Sequence, residues 1–457
     1  MREKNEFIDE IIELLQQKRY SSLRELIQAE QAVDIAEVLL DMSKEQRIII
    51  YRLLPKGLAA QVFVDMDTEM QQDLINSFSD FELRQTLDEL FVDDTADIIE
   101  EMPATVVRRI LRNSSTDTRR TLNELLKYPE TSAGSIMTTE YVRLKENMTV
   151  KEAFAHIRSV ALDKETVYNC YVTDEKRVLQ GIVTVRTLLL ASYDALVGDI
   201  MERNVVSVLT LEDREEVARM FDRYDYLALP VVDRENRLVG IITFDDAIDV
   251  MHEEVEEDFA KMAAITPTEK PYLRTSVHQI WKSRVPWLLI LMISATFTGM
   301  IISSFEDALQ GLAVLTIFIP MLMDTGGNSG SQASVTIIRG LSLGEIGFKD
   351  IPRVIWKELR VSLMCGVCLS VIGFLKIILV DRILMGNDDV TYMVAFVVSV
   401  TLCITILVAK IIGCSLPILA KKIGFDPAVM ASPFITTIVD AISLVVYFSI
   451  ASSILNI

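Results

Sequence analysis

Apolar positions follow a helical period over the first part of the chain. Up to residue 130, segments such as IAEVLLDM, LAAQVFVDM and LRQTLDELF carry apolar residues at i, i+3 and i+4, the spacing of an amphipathic helix. The segments recur roughly every 12 residues, so a helix pair occupies about 24. The breaks between them fall at Ser43, Pro55, Asp67, Ser79 and Pro103. This period predicts an all-α helical solenoid over residues 1–130, which could also be only an interaction scaffold.

Helix and strand patterns alternate over residues 131–253, and the same order occurs twice. SIMTTEYVRLKENMTVKEAF in the first half aligns with DIMERNVVSVLTLEDREEVARMF in the second. Each is followed by an apolar strand, a charged turn and a second strand that contains Gly-Ile, in GIVTV and GIITF. The alternation predicts an α/β fold. The duplicated unit resembles a tandem CBS pair, a module that often senses adenine nucleotides or ions.

The last part of the chain is dominated by long apolar runs. Residues 254–285 begin as an acidic helix, pass a turn with proline and become basic, which predicts a connector. Five apolar runs then follow, at about 286–304, 311–338, 359–380, 391–419 and 430–454. Each is near the ~20 residues that a helix needs to cross a bilayer. Residues 286–457 are therefore predicted to form an all-α membrane domain with five helices.

Basic residues predict how these helices are oriented. They cluster in segments 272–285, 339–360 and 420–426, whereas the opposite loops hold Arg382 and several acids. Because basic loops stay in the cytoplasm, the N-terminal domains are expected inside and the C-terminus outside. The first residues have no apolar core of a signal peptide. The expected protein is a multi-pass protein of the cell membrane, with the lipid bilayer as a partner.

Charge and composition narrow the classes of function. The formal net charge is −20, and nearly all of the acidic excess precedes residue 270. This charge argues against nucleic acid and favours hard cations, which prefer oxygen ligands. Cys365 and Cys368 lie in an apolar run, where two small apolar side chains are expected instead of a redox or metal pair. Nucleophile, phosphate-loop and dinucleotide motifs are absent from the sequence, so an enzyme is not expected.

An acid within the fifth apolar run is the first candidate for chemistry. Asp440 lies in SPFITTIVDAISLVV, and a carboxylate there costs at least ~2.5 kcal/mol on insertion scales. Ser432, Thr436 and Asp440 share one helical stripe, with Thr437 beside it. Mg²⁺ keeps most of its water and often uses one or two carboxylates, so the stripe predicts a cation path. A protonated Asp440 that joins two helices is the alternative.

The second apolar run contains the polar sequence PMLMDTGGNSGSQ. Pro320, Gly326, Gly327 and Gly330 are expected to open the helix and free carbonyl groups, which at membrane depth is tolerated only beside a cavity or inside protein. Neutral oxygen ligands would come from Asn328, Ser329 and Gln332. Close packing of helices through small residues is the alternative.

Three motifs resemble the MgtE family of magnesium channels and transporters. They are P-x-L-x-D-T-G-G-N-x-G-x-Q at 320–332, G-F-D-P-A at 424–428 and T-T-x-x-D at 436–440, and the order of domains is similar over nearly the whole chain. The resemblance implies a homodimer with the pore on its two-fold axis. It also implies that Asp440 binds Mg²⁺ in the pore and that Asn328 lies along it.

The resemblance further implies regulatory Mg²⁺ sites that close the pore through the connecting, or plug, helix. The matching acids are Asp93, Asp94, Asp97, Asp213, Glu215, Asp225, Asp246, Asp249, Glu254, Glu257, Asp258 and Asp426. Any one of them could instead be an ordinary solvated side chain. Thr187 stands where relatives that bind ATP carry an acid, which argues against ATP as a cofactor, although Arg186 is present.

Three other functions remain open at this point. Oxygen-rich sites discriminate weakly, so the chain could carry Co²⁺, Mn²⁺ or several divalent cations. A CBS-regulated anion transporter would need basic or glycine-rich anion motifs, and its CBS pair would be expected after the membrane part. A membrane-anchored sensor without transport would leave Asp440 without a role.

Overall fold

The structure is a computed structural model that describes residues 4–268, 272–273, 275–305, 313–430 and 432–455. The chain divides into two compact units, Met1–His252 and Glu253–Ile457. The first unit holds the N-terminal helices and the two α/β repeats. The second holds the long apolar helices.

The N-terminal part is all-helical, as predicted. Its helices are α1 (Lys4–Gln16), α2 (Tyr20–Ile27), α3 (Ala32–Leu40), α4 (Lys44–Leu53), α5 (Lys56–Val64), α6 (Thr68–Ser77), α7 (Asp80–Leu87), α8 (Val92–Glu101), α9 (Ala104–Asn113) and α10 (Thr116–Leu125). The predicted breaks Ser43, Asp67 and Ser79 are N-caps whose side chains accept a hydrogen bond from the first turn. Pro55 and Pro103 stand directly before α5 and α9. The solenoid arrangement itself stays a prediction.

The two α/β repeats share one topology. The first contains β1 (Tyr141–Leu144), α11 (Val150–Val160), β2 (Thr166–Thr173), β3 (Leu179–Thr184) and α12 (Val185–Leu190). The second contains α13 (Val197–Ile200), β4 (Val208–Leu209), α14 (Arg214–Tyr224), β5 (Ala228–Val232), β6 (Leu238–Thr243) and α15 (Phe244–Met262). In each three-stranded sheet the first strand is parallel to the middle one, and the last is antiparallel to it.

A continuous hydrophobic core joins the helical part to the second repeat. Ile98 and Ile99 of α8 belong to the same buried cluster as Leu122 of α10 and as Val231 and Ile242 of β5 and β6. The first repeat has a separate core around Val142 and Cys170. Because burial of apolar surface contributes ~25 cal/mol per Å², α8 is held firmly against the second repeat.

The second unit is built from long helices. These are α16 (Val277–Ser304), α17 (Ile319–Ser342), α18 (Ile351–Lys376), α19 (Tyr392–Lys422) and α20 (Ser432–Leu455), and a π-helical turn, Ile377–Leu384, extends α18. Four segments of the described residues are long and apolar enough to cross a membrane, namely Val277–Ser304, Phe348–Leu384, Tyr392–Lys422 and Pro427–Leu455. The helix α17, which carries the polar motif, is not among them.

The prediction that proline and glycine open the second apolar run is wrong. Pro320 lies in the first turn of α17, and the helix continues through Gly326, Gly327 and Gly330, all of which are buried. A Cβ on Gly413 of α19 would lie 2.2 Å from the Gly330 carbonyl oxygen. Glycine in a helix costs only ~1 kcal/mol relative to alanine, which this close packing offsets. The alternative of packing through small residues is therefore the correct one.

We expect Gly413→Ala to destabilise the second unit by about 1–3 kcal/mol, because the added carbon has no room. The control is Gly299→Ala in α16, where an added Cβ meets nothing within 4 Å. Melting temperatures in detergent should fall for Gly413→Ala only. Equal melting temperatures for the two variants would show that the contact is not tight.

Candidate metal sites

Carboxylates from four segments of the first unit meet in one place. We define the acidic cluster as Asp93, Asp94 and Asp97 of α8, Asp245 and Asp246 of α15, Glu140 before β1 and Glu165 before β2. Carboxylate oxygens of Asp93, Glu140 and Glu165 all lie within 4.8 Å of one another. Asp93 is only 9% exposed, and its Oδ1 accepts no hydrogen bond among the described residues. Asp97 and Asp245 lie at the exposed edge of the cluster.

Local structure fixes three of these acids in position. Asp93 and Asp94 occupy the first turn of α8, where the helix dipole favours negative charge. Asp246 lies in the first turn of α15 and accepts hydrogen bonds from the hydroxyl and the backbone N–H of Thr243, the latter at 3.3 Å. Both ends of the cluster are therefore held by helix starts, and their carboxylates are brought together by the fold.

Burial and mutual repulsion disfavour the charged forms of these acids. Burial, followed by repulsion from Asp94, raises the pKa of Asp93 to about 6. Burial and the charge of Asp246 raise the pKa of Asp94 to about 6. Burial is also the largest cause that raises the pKa of Asp246 to about 7 and that of Glu165 to about 8. A divalent cation would relieve this repulsion, and oxygen ligands are those that Mg²⁺ prefers.

The other predicted acids of the second repeat have local roles instead. Asp213 caps α14 and accepts a hydrogen bond of 2.9 Å from the Glu215 backbone N–H. Glu215 forms an ion pair with Arg219. Asp225 ends α14 in a left-handed conformation with φ of 54°. Burial and then Asp245 raise the pKa of Asp249, so of these four acids it is Asp249 that adjoins the cluster.

The acids of the second unit surround a lysine. Nζ of Lys261 on α15 lies 2.6 Å from a carboxylate oxygen of Glu257 and 2.6 Å from one of Asp426. Asp258 accepts a hydrogen bond of 3.1 Å from Ser342, and burial raises its pKa, with a further contribution from Asp426. The predicted acids Glu257, Asp258 and Asp426 are thus brought together. Glu254 lies on the same helix, one turn before Asp258.

In the apolar helices, a second acid accompanies Asp440. The negative charge of Asp324 on α17 acts on Asp440 of α20. Asp324 and Asn328 are one helical turn apart, and both are exposed on this chain. Thr436 packs against α17, because a Cβ on Gly327 would lie 3.0 Å from the Thr436 methyl carbon. Its hydroxyl donates to the Pro433 carbonyl oxygen at 2.9 Å, and the Ser432 side chain lies outside the described residues.

Sequence reasoning missed four residues of these sites. Glu140 and Glu165 lie far from DDTAD and FDDAID in sequence, and no local motif points to them. Lys261 is a single base in an acidic helix. Asp324 could have been found, because it is four residues before Asn328 in the same motif.

The chain matches family models in each of its parts. Residues 319–450 match the MgtE family, described as a divalent cation transporter. Residues 30–131 match the MgtE intracellular N domain, and 133–194 and 197–253 match the CBS domain. The chain is similar to the solved cytosolic domain of the Mg²⁺ channel MgtE in complex with ATP, with 38% identity and a TM-score of 0.51 over 53% of this chain and 99% of that one.

Two relatives match along almost their whole length, and each is named magnesium transporter MgtE. The protein from Thermus thermophilus is 36% identical over 97% of both chains. The protein from Bacillus subtilis is 34% identical over 99% of this chain and 98% of its own. Relatives this similar over nearly the full length share one architecture, and the chain therefore belongs to the MgtE family.

Proposed function

We propose that the chain transports Mg²⁺ across the cell membrane, along a path lined by α17 and α20. The observation that carries this proposal is the pair of acids Asp324 and Asp440 on neighbouring apolar helices. Two carboxylates at membrane depth are costly unless they face water or a cation. Mg²⁺ fits, because it binds one or two carboxylates and retains several waters.

The proposed path needs a second copy of the chain. Asp324 and Asn328 are polar, yet both are exposed on an isolated chain, and exposed polar groups are not stable against lipid. A two-fold axis beside this face would turn it toward a shared water-filled pore in a homodimer. In this arrangement α17 is the fifth span, shielded from lipid by its neighbours. An odd number of spans then leaves the N-terminal domains in the cytoplasm and the C-terminus outside.

Closure by Mg²⁺ is proposed to start at the acidic cluster. Without a cation the cluster carries repelling, poorly solvated carboxylates, so a bound dication favours the compact arrangement of the first unit. The acids around Lys261 on α15, the plug helix, are the proposed second group of sites. There Mg²⁺ would have to compete with the lysine for Glu257 and Asp426.

Two further points bear on ligands. The name of the family matched is that of a transporter, which supports neither an enzyme nor an anion transporter. A solved cytosolic domain of an MgtE channel contains ATP. For this chain Thr187, at the position of the acid of ATP-binding relatives, is the reason to propose that ATP is not required.

Asp440→Ala is expected to lower Mg²⁺ flux into proteoliposomes by at least about 100-fold, because loss of the central ligand removes several kcal/mol of binding. Asp324→Asn is expected to lower it less, since its charge acts on Asp440 without being the central ligand. Asp389→Asn, in a loop outside the described spans, is the control. Flux through Asp440→Ala equal to that of the control would contradict the proposed path.

The metal-free first unit, as a fragment of residues 1–262, should lose stability as pH rises from about 5.5 to 8.5. The folded-state pKa values of the cluster are raised, so the native state holds protons that the unfolded state has released. The resulting stability is present at low pH and is lost as pH rises through about 6 to 8. Millimolar Mg²⁺ should restore it at the higher pH, as measured by urea unfolding.

Asp93→Asn should make this metal-free fragment more stable at the higher pH by roughly 1–3 kcal/mol, since one pKa unit corresponds to ~1.4 kcal/mol. It should also reduce the gain from Mg²⁺. Asp222→Asn, which removes an exposed acid of α14, is the control. If the metal-free fragment has the same free energy of unfolding at about pH 5.5 and at about pH 8.5, charge repulsion in the cluster does not destabilise it.

Selectivity separates Mg²⁺ transport from the alternative of a broader divalent transporter for Co²⁺ and Mn²⁺. A pore that binds a hydrated ion through few carboxylates is expected to favour Mg²⁺, which gives up its water reluctantly. Flux of the three ions should be compared in the same proteoliposomes at equal gradients. Equal flux for all three would favour the broader transporter.

A further inference from the structure

A basic pocket of about 750 Å³ lies in the first unit, away from the acidic cluster. Its walls come from the end of α10, from β1 and from the β2–β3 and β5–β6 turns. Leu125 and Leu238 are buried, and Tyr128 and Tyr141 lie beside them. The Tyr141 hydroxyl donates to the Leu238 carbonyl oxygen at 3.3 Å. The pocket therefore has a rigid, partly aromatic wall shared by the helical part and both repeats.

Four cations that line this pocket have no acidic partner. They are Arg143 of β1, Lys164 before β2, and Lys176 and Arg177 of the β2–β3 turn. None of their side chains forms an ion pair in the part of the chain that the structure describes. Arg143 and Arg177 line the same pocket as Tyr141.

The acids that line the pocket are engaged elsewhere. Glu124 pairs with Arg120 at 3.3 Å, and Glu175 pairs with Lys145 at 3.2 Å. Asp233 accepts the backbone N–H groups of Glu235 and Arg237 within its own turn, at 2.8 and 2.9 Å. Arg237, the fifth base of the lining, pairs with Glu235. The lining therefore holds five bases against three acids, so its net charge is positive.

We infer that this pocket binds a small polyphosphate anion, which bridges α10 and the two CBS repeats. In a chain of net charge −20, unpaired bases gathered in one concave place would otherwise be expected to pair with surplus acids. Arginine forks match phosphate oxygens in pairs. Repulsion from the distant acids is screened beyond ~8–10 Å at physiological salt. The inference does not depend on the proposed transport.

Polyphosphate could come from a nucleotide or from a free inorganic chain, so both are used as probes. Equilibrium dialysis of the full chain in detergent, without divalent metal, measures binding of tripolyphosphate and of ATP. Arg143→Gln with Arg177→Gln should weaken tripolyphosphate binding by at least about tenfold, since hydrogen bonds to charged groups are lost. The matched control is Arg158→Gln with Arg223→Gln, which removes the same charge from exposed helix positions outside the pocket lining and should change binding less than about twofold.

The variant Arg143→Lys with Arg177→Lys keeps the charge but loses the two forks, so it should bind more weakly than the unaltered chain and more tightly than the glutamine variant. This ranking separates the binding role from a loss of folding. ATP binding that falls with the Arg143 and Arg177 variant assigns the site to a nucleotide. ATP binding that is unchanged by the Arg143 and Arg177 variant, while tripolyphosphate binding falls, assigns it to the inorganic chain. Absence of tripolyphosphate binding, or equal loss in both double glutamine variants, would overturn the inference.

Discussion

Repulsion among carboxylates that have been withdrawn from water is the constraint on which the first unit depends. Asp93, Glu140 and Glu165 approach within 4.8 Å of one another, and neighbouring acids raise the pKa values of Asp93 and Glu165 further. The apolar core opposes this repulsion from the same helix, since Ile98 and Ile99 of α8 are buried against the second repeat. The helix α8 therefore carries both the apolar residues that pack against the second repeat and acids that repel their neighbours. A modest change in charge can alter their balance, because native proteins are stable by only ~5–15 kcal/mol in all.

Charged side chains gather at three places, and each place balances their charge in a different way. In the acidic cluster the carboxylates repel one another, and their raised pKa values mean that some of them hold protons near neutral pH. At the end of α15, Lys261 pairs with Glu257 of the same helix and with Asp426, which lies between α19 and α20. In the apolar helices Lys410 of α19 faces Glu358 of α18 across 3.9 Å, and both are largely buried. That internal ion pair joins two helices, whereas Asp324 and Asp440 are both acids, and the proposed Mg²⁺ path would supply their cation.

Much of the architecture followed from local sequence. The caps Ser43, Asp67 and Ser79 mark helix starts because a short polar side chain satisfies the free N–H groups of the first turn. The sequence repeat predicts two similar units, and the structure has two sheets with the same strand topology. DDTAD and FDDAID were recognised as sites, and the structure brings Asp93, Asp94 and Asp246 together. Glu140 and Glu165 were not found, because only the tertiary fold carries them to α8. The helix-breaking prediction failed at α17, where a local cost of glycine is outweighed by packing against α19.

The composition of α17 has a consequence for how the protein is made. A segment with Asp324, Asn328 and four glycines partitions poorly into lipid by itself, since each ionised residue at the centre of a helix costs ~2.5–3.5 kcal/mol on insertion scales. Its packing partners, α19 and α20, are synthesised much later. During translation α17 must therefore wait at the translocation channel or in the interface until those helices arrive. The order of synthesis therefore leaves α17 without two of its packing partners until the last helices of the chain have been made.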